Sequence, residues 1–176
     1  MSRPVRVGVV LGSDSDLDVM LEAVKVLDAL EVGSEVFVAS AHRTPERTQE
    51  YARRAQGRGL GVLIAGAGGA AALPGVLASL SPLPVIGVPI ASTPLGGLDA
   101  LLSIAQMPKG VPVATVAIGA WGAANAGVLA AQILALGDPA LAARLATYST
   151  RLADEVDAGA RRVAERLKSG ASASGS

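Results

Sequence analysis

His42 is the residue of this chain best suited to chemistry. It is the only histidine and there is no cysteine, while Lys25, Lys109 and Lys168 lie elsewhere in the sequence. Imidazole is the only side chain whose ordinary pKa lies near neutrality, so His42 is the natural candidate for proton transfer. The alternative is a histidine that only caps a helix or lies on the surface. A single histidine without partners makes a poor transition-metal site, so no metal is expected.

Arg43 and several hydroxyl groups could bind an anion. The Arg43 guanidinium is a fork-shaped donor that suits a phosphate or carboxylate near a helix N-terminus. It could instead pair with Glu46 or Glu50 on the following helix. Asp16 suits the dipole of a first helical turn, but it could also accept hydrogen bonds from ribose hydroxyls. The hydroxyls that suit a phosphate, or that could simply cap helices, belong to Ser13, Ser15 and Ser40.

A glycine-rich segment, residues 66–69, follows a predicted strand. Its expected use is to bring backbone amides close to a carboxylate, an oxyanion or CO2. The sequence contains no GxxxxGK[ST], and its first turn reads GSDSD rather than GxGxxG. These differences argue against a P-loop ATPase and against the usual dinucleotide-binding fold. A Gly-x-Ser-x-Gly nucleophile elbow followed by a histidine is also absent.

Composition excludes further classes of protein. Lys+Arg and Asp+Glu are both 15 in the 176 residues, so nothing supports a nucleic-acid or membrane-surface partner. The absence of cysteine and of a secretory signal is compatible with a cytoplasmic protein. Residues 59–98 and 110–137 carry no charge, but prolines and glycines interrupt the first stretch. These stretches therefore predict a buried parallel sheet rather than a membrane span.

Strand-like and helix-like segments alternate with short connections. Thr44 and Pro45 begin one helix, residues 122–136 form an Ala-rich helix, and Asp138 caps a last helix that ends near Lys168. This order predicts an α/β fold of three layers, a doubly wound, five-stranded parallel sheet of flavodoxin-like order with a long C-terminal helix. We expect one domain over residues 1–168 and a disordered tail over 169–176. The predicted strands are residues 5–11, 35–39, 61–65, 84–88 and 112–118.

Five loops leave the carboxyl ends of the predicted strands, where open parallel sheets bind their ligands. All five are small, polar or glycine-rich, which predicts a pocket at this edge of the sheet; they are residues 12–16, 40–45, 66–69, 89–92 and 119–122. The Ala-rich helix carries only Asn125 and Gln132 as polar residues. Since it has no obvious solvent face, we expect it to pack between subunits of a homo-oligomer.

The same loops resemble the N5-carboxyaminoimidazole ribonucleotide mutases of purine biosynthesis (PurE, class I). The resemblance runs from about Val5 to Leu136 and covers nearly the whole predicted fold. SAHRTP and AGAGGAA, in this order and spacing, are its most specific parts. The matching stretches are GSDSD at 12–16, SAHRTP at 40–45, AGAGGAA at 65–71, LPG at 73–75, GVP at 87–89, QMP at 106–108, GVPVAT at 110–115 and AANAGVLAAQIL at 123–134.

The resemblance implies an octamer that needs no metal and no organic cofactor, and a small ribonucleotide as substrate. The implied reaction moves a carboxylate from N5 to C4 of the aminoimidazole ribonucleotide through transient CO2, with His42 as the proton shuttle. Ser13, Asp16 and Arg43 would bind the ribose hydroxyls and the 5′-phosphate, with Ser15 beside them. The residues implied to line the pocket for the migrating carboxylate are Ser40, Gly66, Ala67, Gly68, Gly69, Ala70, Ala71 and Leu73.

The chain departs from the family pattern near the expected pocket. Ala72 replaces a second active-site histidine, and Ala91, Ala100 and Trp121 also differ from the usual residues. Two other hypotheses therefore stay open. One is a direct carboxylase or decarboxylase that uses free CO2 on an aminoimidazole nucleotide or a related carboxylated ring. The other is a paralog that binds a nucleotide without turning it over, which the loss of the histidine at position 72 suggests.

Overall fold

A computed structural model describes residues 4–173 of the chain, with side chains through residue 167. Five parallel strands form one sheet in the order β2-β1-β3-β4-β5, which confirms the predicted flavodoxin-like topology. The strands are β1 Val5–Leu11, β2 Gly33–Val38, β3 Val62–Gly68, β4 Val85–Ile90 and β5 Ala114–Thr115. The helices are α1 Leu17–Ala29, α2 Pro45–Ala55, α3 Ala72–Leu80, α4 Leu98–Ala105, α5 Ala120–Ala135 and α6 Pro139–Ala173.

Helices cover both faces of the sheet and enclose two apolar cores. On one face, α1 and α5 pack against each other and against the strands, with α6 lying over α5. On the other face lie α2, α3 and α4. Strands β1, β3 and β4 are buried along most of their length, as their continuous apolar sequences predict. Within the described part of the chain, no helix combines the length and the apolar character that a membrane crossing requires.

The edges of the sheet differ from the prediction. The sequence predicts a full strand over residues 112–118, but only Ala114 and Thr115 pair with β4. Strand β2 begins at Gly33 and exposes alternate residues, such as Val36 and Val38. Both strands have one neighbour instead of two, so fewer ladder hydrogen bonds define their ends and one side stays open to solvent.

The last helix begins as predicted and ends later. The Asp138 carboxylate accepts a hydrogen bond from the Leu141 amide at 3.0 Å and caps α6. Its other oxygen accepts from the Arg6 guanidinium at 2.8 Å, and these two hydrogen bonds, the Leu141 bond first, lower the pKa of Asp138. Helix α6 continues to Ala173, five residues past the predicted end at Lys168. The remaining residues of the predicted tail, 174–176, lie outside the described residues.

Helix α5 owes its apolar composition to packing within the chain. Its residues Ala123, Ala126 and Ala130 are fully buried against α1 and the sheet. Gly127 lies so close to α1 that an added Cβ would stand 2.8 Å from the Ala23 carbonyl oxygen. These contacts account for the buried residues of the helix, while Trp121 and Gln132 stay exposed and Val128 partly exposed. That the helix also packs between subunits stays a prediction.

Candidate active site

A cavity of about 320 Å³ opens at the carboxyl edge of the sheet, where the predicted pocket was placed. The loops after β1, β2, β3 and β4 meet there, on both sides of the point at which the chain switches from one face of the sheet to the other. The fourteen lining residues are Gly12, Ser13, Ser15, Asp16, Ser40, Ala41, His42, Arg43, Ala67, Gly68, Ala71, Ala72, Leu73 and Ser92. The structure thus brings together most of the side chains that were singled out from the sequence.

The loop after β1 folds around the carboxylate of Asp16. One oxygen of Asp16 accepts from the Ser13 amide at 3.1 Å, while the Ser13 hydroxyl accepts from the Ser15 amide at 3.4 Å. These bonds form a capping box over the short 3-10 turn Asp14–Asp16. Asp16 is only 6% exposed, and burial raises the pKa of its carboxyl group, against the hydrogen bonds from Ser13 and Ser15 that lower it. A buried carboxylate at the pocket wall is an acceptor held in a fixed position.

The loop after β2 presents His42 and Arg43 to the cavity. Ser40 and Thr44 close this loop, because the Ser40 amide donates to the Thr44 hydroxyl at 2.9 Å and the Thr44 amide donates to the Ser40 carbonyl at 2.9 Å. The Ser40 hydroxyl accepts from the Arg43 amide at 3.2 Å. Thr44 stands at the N-cap of α2 without a side-chain capping bond, and Pro45 occupies the first turn as predicted. The Thr44 hydroxyl is used to shape the loop instead.

Both functional side chains of this loop are free to meet a ligand. His42 and Arg43 are exposed, and no side-chain hydrogen bond between described residues engages the His42 ring. The Arg43 guanidinium donates to the Gly12 carbonyl at 3.4 Å, which directs it across the cavity towards the loop after β1. Within residues 4–167, Arg43 forms no ion pair with Glu46 or Glu50, so the surface-pair alternative lacks support.

The glycine-rich loop after β3 forms the opposite wall. Gly68 and Ala71 line the cavity, and the Ala71 amide donates to the Gly68 carbonyl at 3.1 Å. Ala71 is 5% exposed and has φ 43°, a left-handed conformation that is strained for a residue with a Cβ. Gly69 also has a positive φ, 60°, so the loop turns sharply here. Such strain is typical of functional loops that the surrounding structure holds in place.

Three residues predicted to bind substrate lie outside the cavity wall: Gly66, Gly69 and Ala70. Gly66 belongs to β3, where its carbonyl accepts from the Gly12 amide at 3.3 Å. A Cβ on Gly66 would stand 2.5 Å from the Met20 sulfur, so this glycine makes room for the core. A substrate role for these three residues stays a prediction.

The sequence analysis did not assign four of the lining residues: Gly12, Ala41, Ala72 and Ser92. Gly12 lies in GSDSD, Ala41 lies in SAHRTP, and Ala72 is one of the departures from the family pattern. Ser92 ends the predicted loop of residues 89–92 at the ligand-binding edge of the sheet. The sequence therefore indicates where Ser92 lies, but not which residues it contacts. Of the other departures, Ala100 is buried in the core, while Ala91 and Trp121 are exposed outside the cavity wall.

The donor set does not suit a metal ion. Among the described residues, no group of three or more His, Cys, Asp or Glu side chains could hold one. The cavity instead offers one imidazole, one guanidinium, one buried carboxylate, several hydroxyls and a wall of small residues. This set can bind an anion and hydroxyl groups, and it can move a proton.

Comparison with known proteins gives a consistent family. Residues 6–155 match the family model described as AIR carboxylase. A Mycobacterium tuberculosis (strain ATCC 25618 / H37Rv) protein named N5-carboxyaminoimidazole ribonucleotide mutase is 56% identical over 165 residues, 92% of this chain and 94% of that protein. A protein of the same name from Pyrococcus abyssi (strain GE5 / Orsay) is 61% identical over 81% of this chain and 81% of that protein. Another, from Thermotoga maritima, is 54% identical over 86% of this chain and 87% of that protein.

Solved structures agree with the sequence comparison. The crystal structure of Treponema denticola PurE has a TM-score of 0.77 at 26% identity and covers 85% of this chain and 92% of its own. The crystal structure of a substituted form of PurE from the same organism has a TM-score of 0.81 at 25% identity, with coverage of 92% and 98%. With a family model over most of its length and relatives more than half identical, this chain belongs to the AIR carboxylase family.

Proposed function

We infer that this protein interconverts N5-carboxyaminoimidazole ribonucleotide and 4-carboxyaminoimidazole ribonucleotide in purine biosynthesis. The observation that carries the inference is that His42, Arg43, Asp16 and a wall of small residues line one cavity. The name shared by relatives 54–61% identical supports it. The reaction only moves a carboxylate and a proton, so it requires no oxidant and no nucleoside triphosphate. This agrees with a sequence that has neither a P-loop nor a dinucleotide motif.

His42 acts as the proton shuttle in the proposed mechanism. The bond between N5 and the carboxylate carbon breaks, its electron pair stays on N5, and CO2 is released within the pocket. N5 takes a proton from His42. Carbon C4 then attacks CO2 to form the new C–C bond, and the C4 proton passes back to His42. One imidazole is sufficient because the proton lost at C4 replaces the proton gained at N5.

The polar side of the cavity binds the ribose phosphate in this proposal. The Arg43 guanidinium and the hydroxyls of Ser13 and Ser15 line the cavity at the ends of β1 and β2. Asp16 accepts from the ribose hydroxyls, since its carboxylate is already positioned by the Ser13 amide at 3.1 Å. Binding at this side leaves the aminoimidazole ring to face His42 and the small-residue wall.

Two observations keep other functions in view. The description of the matching family model, AIR carboxylase, favours direct use of CO2 on the amine nucleotide. Ala72, which lines the cavity where the family pattern has histidine, favours a protein that binds a nucleotide without turnover. Both alternatives use the same pocket, so only measured chemistry separates them.

The activity itself provides the direct test. We expect the purified full chain to interconvert the N- and C-carboxylated nucleotides without ATP, at a rate that added bicarbonate does not change. NMR of the two nucleotides measures this. A rate that rises with bicarbonate, on amine nucleotide alone, would establish the direct carboxylase instead. Calorimetric binding with no product in the NMR spectrum would establish the non-catalytic paralog.

We also propose that the enzyme is a homo-octamer located in the cytoplasm. Large apolar side chains that nothing covers in the single chain support assembly, including Trp121 at 84% exposed, Leu136 at 90% and Leu167 at 71%. The absence of cysteine agrees with a reducing compartment. Analytical ultracentrifugation is expected to give a mass eight times that of the chain. A stable, fully active monomer would contradict the assembly.

A further inference from the structure

Ser92 occupies a place in the cavity that the proposed mechanism does not use. It follows β4, and its amide donates to the Ile90 carbonyl at 3.0 Å, which turns the chain towards β3. The turn presses the Ser92 side chain against Gly68, the partner of Ile90 in the sheet register. A Cβ on Gly68 would overlap the Ser92 hydroxyl and would stand 2.8 Å from the Ser92 Cβ. Gly68 therefore leaves room for this side chain beside the pocket.

Ser92 is an exposed residue that lines the cavity. Within residues 4–167, no hydrogen bond occupies its hydroxyl. The wall around it consists of Ala67, Gly68, Ala71, Ala72 and Leu73. Together with Ser92, these residues form the side of the cavity that β3, α3 and the loop after β4 supply. Among them, Ser92 alone has a polar side chain.

We propose that Ser92 is a substrate-contacting residue that donates a hydrogen bond to the transferred carboxylate. This role rests on the proposed function. The guanidinium of Arg43 and the polar groups of Ser13 and Asp16 place the sugar phosphate at the ends of β1 and β2. The carboxylated end of the nucleotide then faces the apolar wall, where CO2 in transit meets small uncharged groups. The Ser92 hydroxyl is the side-chain donor on that wall, and it can orient the group before and after transfer.

The alanine at position 72 strengthens the argument. Ala72 begins α3 and lines the same wall, and its methyl group offers no hydrogen bond. A carboxylate that met no polar side chain here would depend on backbone amides alone to replace its lost hydration, and incomplete replacement is unfavourable. The Ser92 hydroxyl, in the same cavity as Ala72, supplies a side-chain donor without adding a second titratable group.

The test compares two nucleotides that differ only in the carboxylate. Calorimetry measures binding of aminoimidazole ribonucleotide and of its 4-carboxylated form to the full chain carrying His42→Asn, which prevents conversion, with and without Ser92→Ala. We expect Ser92→Ala to weaken binding of the carboxylated nucleotide about tenfold, as for a hydrogen bond to a charged group. Binding of the nucleotide without the carboxylate should change less than twofold. Ser92→Thr, which keeps a hydroxyl, should bind both as Ser92 does.

Each outcome decides the role of Ser92. Ser103, an exposed serine of α4 outside the cavity wall, provides the matched control, and Ser103→Ala should change neither affinity. Equal weakening of both nucleotides by Ser92→Ala would show a structural role, and no weakening of the carboxylated one would overturn the contact. In both cases the proposed function stands, because the nucleotides still bind. If neither nucleotide binds the protein with Ser92 intact, the proposed function fails and the role of Ser92 fails with it.

Discussion

Replacing His42 by asparagine is expected to lower kcat for the carboxylate transfer about 10³-fold. Asparagine has a similar polar shape but cannot take and return a proton at neutral pH, so the step at C4 loses its base and the step at N5 loses its acid. The KM for the nucleotide should change less than threefold, because the phosphate contacts are assigned to Arg43 and the neighbouring serines. NMR of the two carboxylated nucleotides at saturating substrate measures the effect.

The same variant should fold as well as the natural protein. The His42 side chain is exposed, and no hydrogen bond to another described residue fixes it. Thermal unfolding is therefore expected to be unchanged, which separates a chemical defect from a structural one. A His42→Asn protein that kept more than a tenth of its turnover would remove His42 from the mechanism. The cavity would then need another proton carrier, and Asp16, whose pKa is raised by burial, would be the first candidate.

Replacing Gly122 by alanine is expected to lower the free energy of unfolding by about 3 kcal/mol, at the upper end of the usual cost of overpacking. Gly122 lies in the first turn of α5, directly against the backbone of Ala117. An added Cβ would overlap the Ala117 carbonyl oxygen and would stand 2.5 Å from its carbonyl carbon. If the close atoms belonged to a side chain, that side chain could rotate away from the new Cβ. They belong to the backbone of Ala117, which can move only if the turn between β5 and α5 moves. Urea denaturation measures the loss.

Gly137 offers a matched control for this substitution. It follows α5 in the short connection to α6, and an added Cβ there would meet nothing within 4 Å. Gly137→Ala should therefore change the free energy of unfolding by less than about 0.5 kcal/mol, as for ordinary surface positions. If Gly122→Ala were as mild as Gly137→Ala, the close approach of α5 to Ala117 would be wrong. A loss of about 3 kcal/mol is a large part of the total stability of a domain of this size.

The sequence by itself determined the fold and the place of the site. Strands β1, β3 and β4 lie under helices on both faces, and their continuous apolar runs could be recognised to within a few residues. The alternation of strands and helices then set the parallel topology, and that topology places every strand-to-helix loop at one edge. His42 and Arg43 could be assigned to the pocket for this reason. The first and last residues of β2 and β5 could not be predicted in this way, because an edge strand pairs with a neighbour on one side only.

Only the tertiary structure decided what each small residue does. In sequence, Gly66, Gly68 and Gly122 look equally suited to approach a ligand, yet Gly66 makes room for Met20, Gly122 for a backbone carbonyl, and Gly68 for Ser92. The apolar composition of helix α5 does not say where its buried residues pack, and in the structure they pack against α1 and the sheet. Such roles depend on distances between atoms far apart in the chain. Local sequence constrains backbone conformation and polarity, but it does not specify which distant atom fills the space beside a missing Cβ.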